Sequence, residues 1–120
     1  MSKEEQLREI LKELKAALPD LQEIIVASPD GLPVVELGDN KIASRLAAMA
    51  ATAHGLGKRI AATTNLGGLE EIVIRGENAY FVAYAVAEKA ILALATPAGS
   101  NLGLVRLEAQ TYAQRLAEVL

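Results

Sequence analysis

Few side chains in this 120-residue chain are equipped for chemistry. Cysteine is absent, which removes thiolate nucleophiles, disulfides and thiolate-ligated metals. The one histidine, His54, has no nucleophile beside it in sequence, so the pairing that covalent catalysis requires is missing. The carboxylate pairs Glu4-Glu5 and Glu70-Glu71 are adjacent residues and do not share one face of a regular element. They read as solvated surface rather than as metal ligands. Gly55-Leu56-Gly57-Lys58 has the outward look of a phosphate loop. That motif needs glycine where Thr52 stands and a hydroxyl residue where Arg59 stands, and it follows a strand rather than lying within a helix. Gly99-Ser100-Asn101-Leu102-Gly103 opens a helix, and with no basic residue nearby it reads as a plain cap rather than an anion site. The expectation is no catalytic, cofactor or metal site, and a protein that works by binding. Arg45 and Arg59, with Thr52 and Thr63, are the residues whose chemistry suits an acidic partner surface.

Composition points the same way. Net charge is -3 with both signs interspersed, and no basic stripe interleaved with aromatics invites nucleic acid. Apolar residues make up 52% of the chain, much of it alanine, which allows close backbone approach but little burial energy. No apolar run approaches the roughly 20 residues of a membrane span. The charged start, Met1-Ser2-Lys3-Glu4-Glu5, is unlike a secretory signal, and with no cysteine the expected location is the cytoplasm.

The elements that position these residues follow from periodicity. Leu7, Ile10, Leu11, Leu14 and Leu18 recur at steps of three and four, predicting a helix over 3–18 with Ser2 as its cap. Strands are expected over 23–28 and 32–37, joined by the turn Ser28-Pro29-Asp30-Gly31. Pro33 lacks an N–H, which places the second strand at a sheet edge. A long helix is expected over 41–64. Three strands follow, over 69–75, 79–86 and 90–96, in an antiparallel meander, and a last helix runs from Ser100 to about Val119. The order is α-β-β-α-β-β-β-α. It implies a single α+β sandwich domain spanning 1–120, a five-stranded antiparallel sheet with the long helix on one face and the two terminal helices on the other.

The long helix has three distinct faces. Ile42, Leu46, Met49, Ala53, Leu56 and Ile60 form a bulky apolar stripe, expected to cover the sheet. Ala43, Ala47, Ala50, His54, Gly57 and Ala61 form a smooth flank, and Arg45, Thr52, Arg59 and Thr63 a polar one. Gly55 and Gly57 each cost about 1 kcal/mol against alanine within a helix. Close packing of another helix on the smooth flank would offset that.

Three segments in this order and spacing resemble the roadblock family, which includes the MglB-type bacterial regulators. They are LQEIIVASPDGLPVV (21–35), LEEIVIRGENAYFVAY (69–84) and SNLGLVRL (100–107), the last carrying Asn101-Leu102-Gly103. The resemblance spans nearly the whole chain. It implies a homodimer with paired central helices and edge-to-edge third strands. It further implies a non-enzymatic regulator of a small Ras-like GTPase, with stimulation of GTP hydrolysis as one form of that role. A scaffold subunit that leaves hydrolysis unchanged is the alternative it allows. On this reading the dimer interface comprises Ala43, Ala47, Ala50, His54, Gly57 and Ala61 with Glu71, Val73 and Arg75 of the edge strand. Arg45, Thr52, Arg59 and Thr63 are the GTPase-binding candidates. Were His54 in the dimer seam, association would depend on pH near 6 to 7.

Overall fold

Helix α1 (Lys3–Ala17) starts where the Ser2 hydroxyl accepts a hydrogen bond from the Glu5 amide at 3.1 Å. The Glu5 carboxylate accepts from the Ser2 amide in return at 3.3 Å, completing a capping box. The predicted stripe of Leu7, Ile10, Leu11 and Leu14 is buried, and Leu18 caps the helix before Pro19 turns the chain. Strands β1 (Glu23–Ala27) and β2 (Pro33–Leu37) pair antiparallel. Their connection closes with the Gly31 amide donating to the Ser28 carbonyl at 3.0 Å. Gly31 has φ +94°, a conformation that side chains with a Cβ rarely adopt.

Helix α2 (Ala43–Thr63) crosses to strands β3 (Ile72–Arg75), β4 (Ala79–Val86) and β5 (Ala90–Pro97), and helix α3 (Leu102–Val119) ends the chain. The computed structural model describes all residues from 1 to 120. The five strands are ordered β2-β1-β5-β4-β3, every neighbouring pair antiparallel. Pro33 therefore stands on an edge strand, as the sequence predicts, and β5 is central. α1 and α3 cover one face over a large core that includes Leu11, Leu14, Ile24, Leu92, Leu94 and Leu116. α2 covers the other over a smaller core of Ile25, Ala27, Ala83, Ile91 and Ala93 with its own alanines. The expected α+β sandwich is the observed fold.

Two expectations need correction. The strand predicted from Leu69 begins only at Ile72, and Leu69, Glu70 and Glu71 have no ladder partner. The Glu71 carboxylate is engaged elsewhere: it takes a two-pronged contact from Arg106 of α3, at 2.9 and 2.6 Å. The second correction concerns which way α2 faces. Ala43, Ala47 and Ala50 are buried against the chain's own sheet and Ala61 is buried as well, whereas Met49, Leu56 and Ile60 point outward. Leu46 of the predicted inner stripe does pack on the sheet-side core, and Ile42 and Ala53 are partly buried, so the helix is rotated toward its alanine flank rather than turned over. The physical reason lies in the sheet: its α2 face carries Ala27, Ala83 and Ala93 beside two isoleucines, and a helix of alanines settles closely onto such a surface.

The mid-helix glycines also separate. A Cβ at Gly57 would meet the Leu69 Cδ2 at 3.0 Å and the Ile72 Cδ1 at 3.3 Å, so this glycine lets the loop and β3 pack close to α2. A Cβ at Gly55 would meet nothing within 4 Å. Gly55→Ala is therefore expected to stabilise the fold by about 1 kcal/mol, the full helix-propensity gain. Denaturant titration reads this directly, and a loss of stability would mean that Gly55 is packed.

Candidate binding face of helix α2

Because the alanines face inward, α2 presents two kinds of surface to solvent. The first is apolar. Met49, Leu56 and Ile60 are 60%, 57% and 49% exposed and lie on the flank turned toward β3. On the same face of the sheet, Ile74 of β3 is 53% exposed and pairs with the partly buried Phe81 of β4. Soluble single chains seldom leave several large aliphatic groups bare in one region, and such a region marks an interaction surface. β3 adds a second signal. It is an edge strand only four residues long, and its outer N–H and C=O groups have no ladder partner.

The second surface is cationic. α2 contains Arg45, Lys58 and Arg59 and no aspartate or glutamate, in a chain whose net charge is -3. None of the three makes an ion pair, whereas Arg8, Lys12, Arg106 and Arg115 all do. Arg45, Thr52, Arg59 and Thr63 are all exposed on the side of α2 opposite the buried alanines. The Thr52 hydroxyl donates to the Ala48 carbonyl at 2.8 Å, leaving its oxygen open to a partner's donor. The four residues that periodicity groups together thus share the outer face of the helix.

The predicted dimer residues fare differently. Ala43, Ala47 and Ala50 are consumed by the intramolecular core and Ala61 is buried too, so none of the four is exposed to meet a second copy. Gly57 is taken up by Leu69 and Ile72. Glu71 lies before β3, not in it, and is held by Arg106. Arg75 reaches over the Tyr80 ring, 4.9 Å from its centre, and donates to the Tyr80 hydroxyl at 3.2 Å. Of the nine, Val73 and Arg75 stand exposed on the edge strand β3. Sequence reasoning missed Met49, Leu56, Ile60 and Ile74 as interface candidates because bulky apolar stripes are assigned to the core by default.

His54 lies on the flank away from Met49, Leu56 and Ile60. Burial, aided by the nearby Lys58 ammonium, holds its imidazole below the usual value of 6.5. A folded-state pKa lowered for a base means that the unfolded chain binds the proton more readily. Fold stability attributable to His54 is thus intact above about pH 6.5 and declines as the pH falls below it. Association through the apolar stripe should not share this dependence. Dimer constants measured between pH 6 and 7 should agree, and a strong change across that interval would return His54 to the seam. On the opposite face of the sheet, the Arg106 guanidinium holds the Glu71 carboxyl below its ordinary 4.5. Burial and that same Glu71 carboxylate push the Tyr84 phenol upward.

Three helices on a five-stranded antiparallel sheet, in the strand order β2-β1-β5-β4-β3, define the class of fold. The chain belongs to the Roadblock/LC7 domain family, whose model matches residues 7–96. It is 33% identical over 93 residues to MJ0714 of Methanocaldococcus jannaschii, covering 77% of this chain and 78% of that protein. MJ1340 of the same organism is also 33% identical, over 77% of this chain and 81% of its own. Among solved structures, an MglB with a tetrameric arrangement superposes with a TM-score of 0.88 at 19% identity, covering 99% of this chain and 90% of that one. The gliding protein MglB of Thermus thermophilus gives 0.86 at 18%, covering 99% and 91%. Myxococcus xanthus MglB gives 0.84 at 16%, covering 94% and 93%. These structures share the fold. No helix of this chain is long and apolar enough to cross a membrane.

Proposed function

We propose that this protein is a non-enzymatic, cytoplasmic homodimeric regulator or adaptor that docks a small Ras-like GTPase on the outer face of α2. The observation that carries the reading is the division of labour on that helix. An apolar stripe with nothing on it adjoins a cationic, acid-free face with unpaired arginines. A two-fold dimer formed by the stripe and the free β3 edge would bury the aliphatic groups and satisfy the strand's polar groups. It would also set two cationic helix faces side by side as one platform. The partner class comes from the roadblock resemblance. The platform's charge suits an acidic protein surface, and complementary charge speeds and orients such encounters.

The test uses a Ras-like GTPase encoded in the same genome, loaded with GDP or with a non-hydrolysable GTP analogue and titrated calorimetrically. The double variant Arg45→Glu, Arg59→Glu should bind at least about tenfold more weakly while remaining dimeric. Unchanged affinity would reject the polar flank as the docking face. Hydrolysis by the same GTPase, followed with and without the wild-type protein, then separates the two forms of the role. A changed rate makes it a regulator; binding at constant rate makes it a scaffold.

A further inference from the structure

A cleft of about 560 Å³ opens between α2 and the β4–β5 hairpin. His54, Gly55 and Lys58 reach it from α2, and Ala85, Ala87 and Glu88 from the hairpin. Its α2 wall lies on the side of the helix away from Met49, Leu56 and Ile60. Three observations mark it as more than a packing gap. Its volume is within the range of small-ligand sites, and more than half of its lining residues are apolar. Lys58, one turn beyond His54, has no carboxylate within ion-pairing distance, although Glu88 lines the same cleft. Gly55 costs helix stability, and nothing in the fold requires it, since a Cβ there would meet only open space. A backbone kept bare at the mouth of a cleft lets an occupant approach closely.

We propose that this cleft binds a carboxylate carried on a short apolar stem, its oxygens received by the Lys58 ammonium and a His54 ring N–H. The alanine walls take the stem. One ammonium matches one negative charge, and the Glu88 carboxylate repels a second, which disfavours a phosphate dianion. Two sources offer this chemistry: a free aliphatic carboxylate, or a glutamate side chain of a docked protein. The site is independent of whether a GTPase binds the outer face of α2.

Amide chemical shifts of the full chain, recorded during titration with butyrate, inorganic phosphate and doubly capped alanyl-glutamyl-alanine, test the assignment. Saturable shifts are expected at His54, Gly55, Lys58, Ala85 and Ala87 with butyrate or the peptide, and none with phosphate. Tighter binding of butyrate identifies a free ligand, and tighter binding of the peptide a protein side chain. Lys58→Gln should weaken binding by about tenfold, the scale of a lost charge-assisted hydrogen bond. Gly55→Leu should abolish binding while leaving the rest of the spectrum in place, because a Cβ there meets open space and the longer side chain occupies the cleft mouth. The proposal is overturned if neither carboxylate probe saturates, if phosphate binds as well as butyrate, or if Lys58→Gln binds like the wild type.

Discussion

The double variant Leu56→Glu, Ile60→Glu should be a folded monomer under conditions where the proposed dimer of the wild-type chain forms. Both side chains are about half exposed in the single chain, so the substitutions remove no intramolecular core. Far-ultraviolet circular dichroism should be unchanged, and the monomer's own unfolding free energy should move by under about 0.5 kcal/mol. In a two-fold interface each substitution occurs twice, placing four carboxylates where four aliphatic groups would meet. An unpaired charge forced into an interface core costs several kcal/mol. The dimer should therefore weaken by at least about a thousandfold, which sedimentation velocity reads as a shift to a single slow species. A variant that stays dimeric would move the interface off this stripe.

The second large effect concerns the opposite side of the same helix. Ala47→Leu and Ala50→Leu each place extra aliphatic bulk between α2 and the sheet at positions that are wholly buried. Overpacking a filled core costs about 1 to 3 kcal/mol, and here the sheet beneath offers Ala27, Ala83 and Ala93 as close neighbours of the helix. The expected result is a loss of this size in chemical denaturation, or a lowered melting temperature, for both variants at concentrations where association is absent. Met49→Ala, on the exposed stripe, should leave that monomer stability nearly unchanged. The reverse pattern, sensitive at Met49 and tolerant at Ala47, would restore the orientation that hydrophobic strength alone predicts.

That orientation shows where the sequence is legible and where it is not. The helix cap at Ser2, the Ser28–Gly31 turn and the edge position of Pro33 can all be read, because each depends on residues within a few positions of one another. The three faces of α2 are also legible as periodic stripes. Which apolar stripe meets the chain's own sheet is not, since periodicity reports that a face is apolar but not what it packs on. The deciding signal is present in the strands, where Ala83 and Ala93 alternate onto one side. Matching small faces to small faces would select the alanine flank. The shortened β3 is not legible either. Glu71 leaves the ladder for Arg106, 35 residues away, and no local pattern announces that pairing. The cleft beside His54 and Lys58 is of the same kind, since its two walls come from a helix and a hairpin that only the tertiary fold brings together.

The central claim is that this chain is one half of a symmetric binding platform, and the mass of the wild-type protein in solution tests it most directly. Sedimentation equilibrium across micromolar loading concentrations should return twice the 12.7 kDa of the single chain. A species of 12.7 kDa throughout would leave the apolar stripe of α2 and the β3 edge without the partner assigned to them, and would contradict the account.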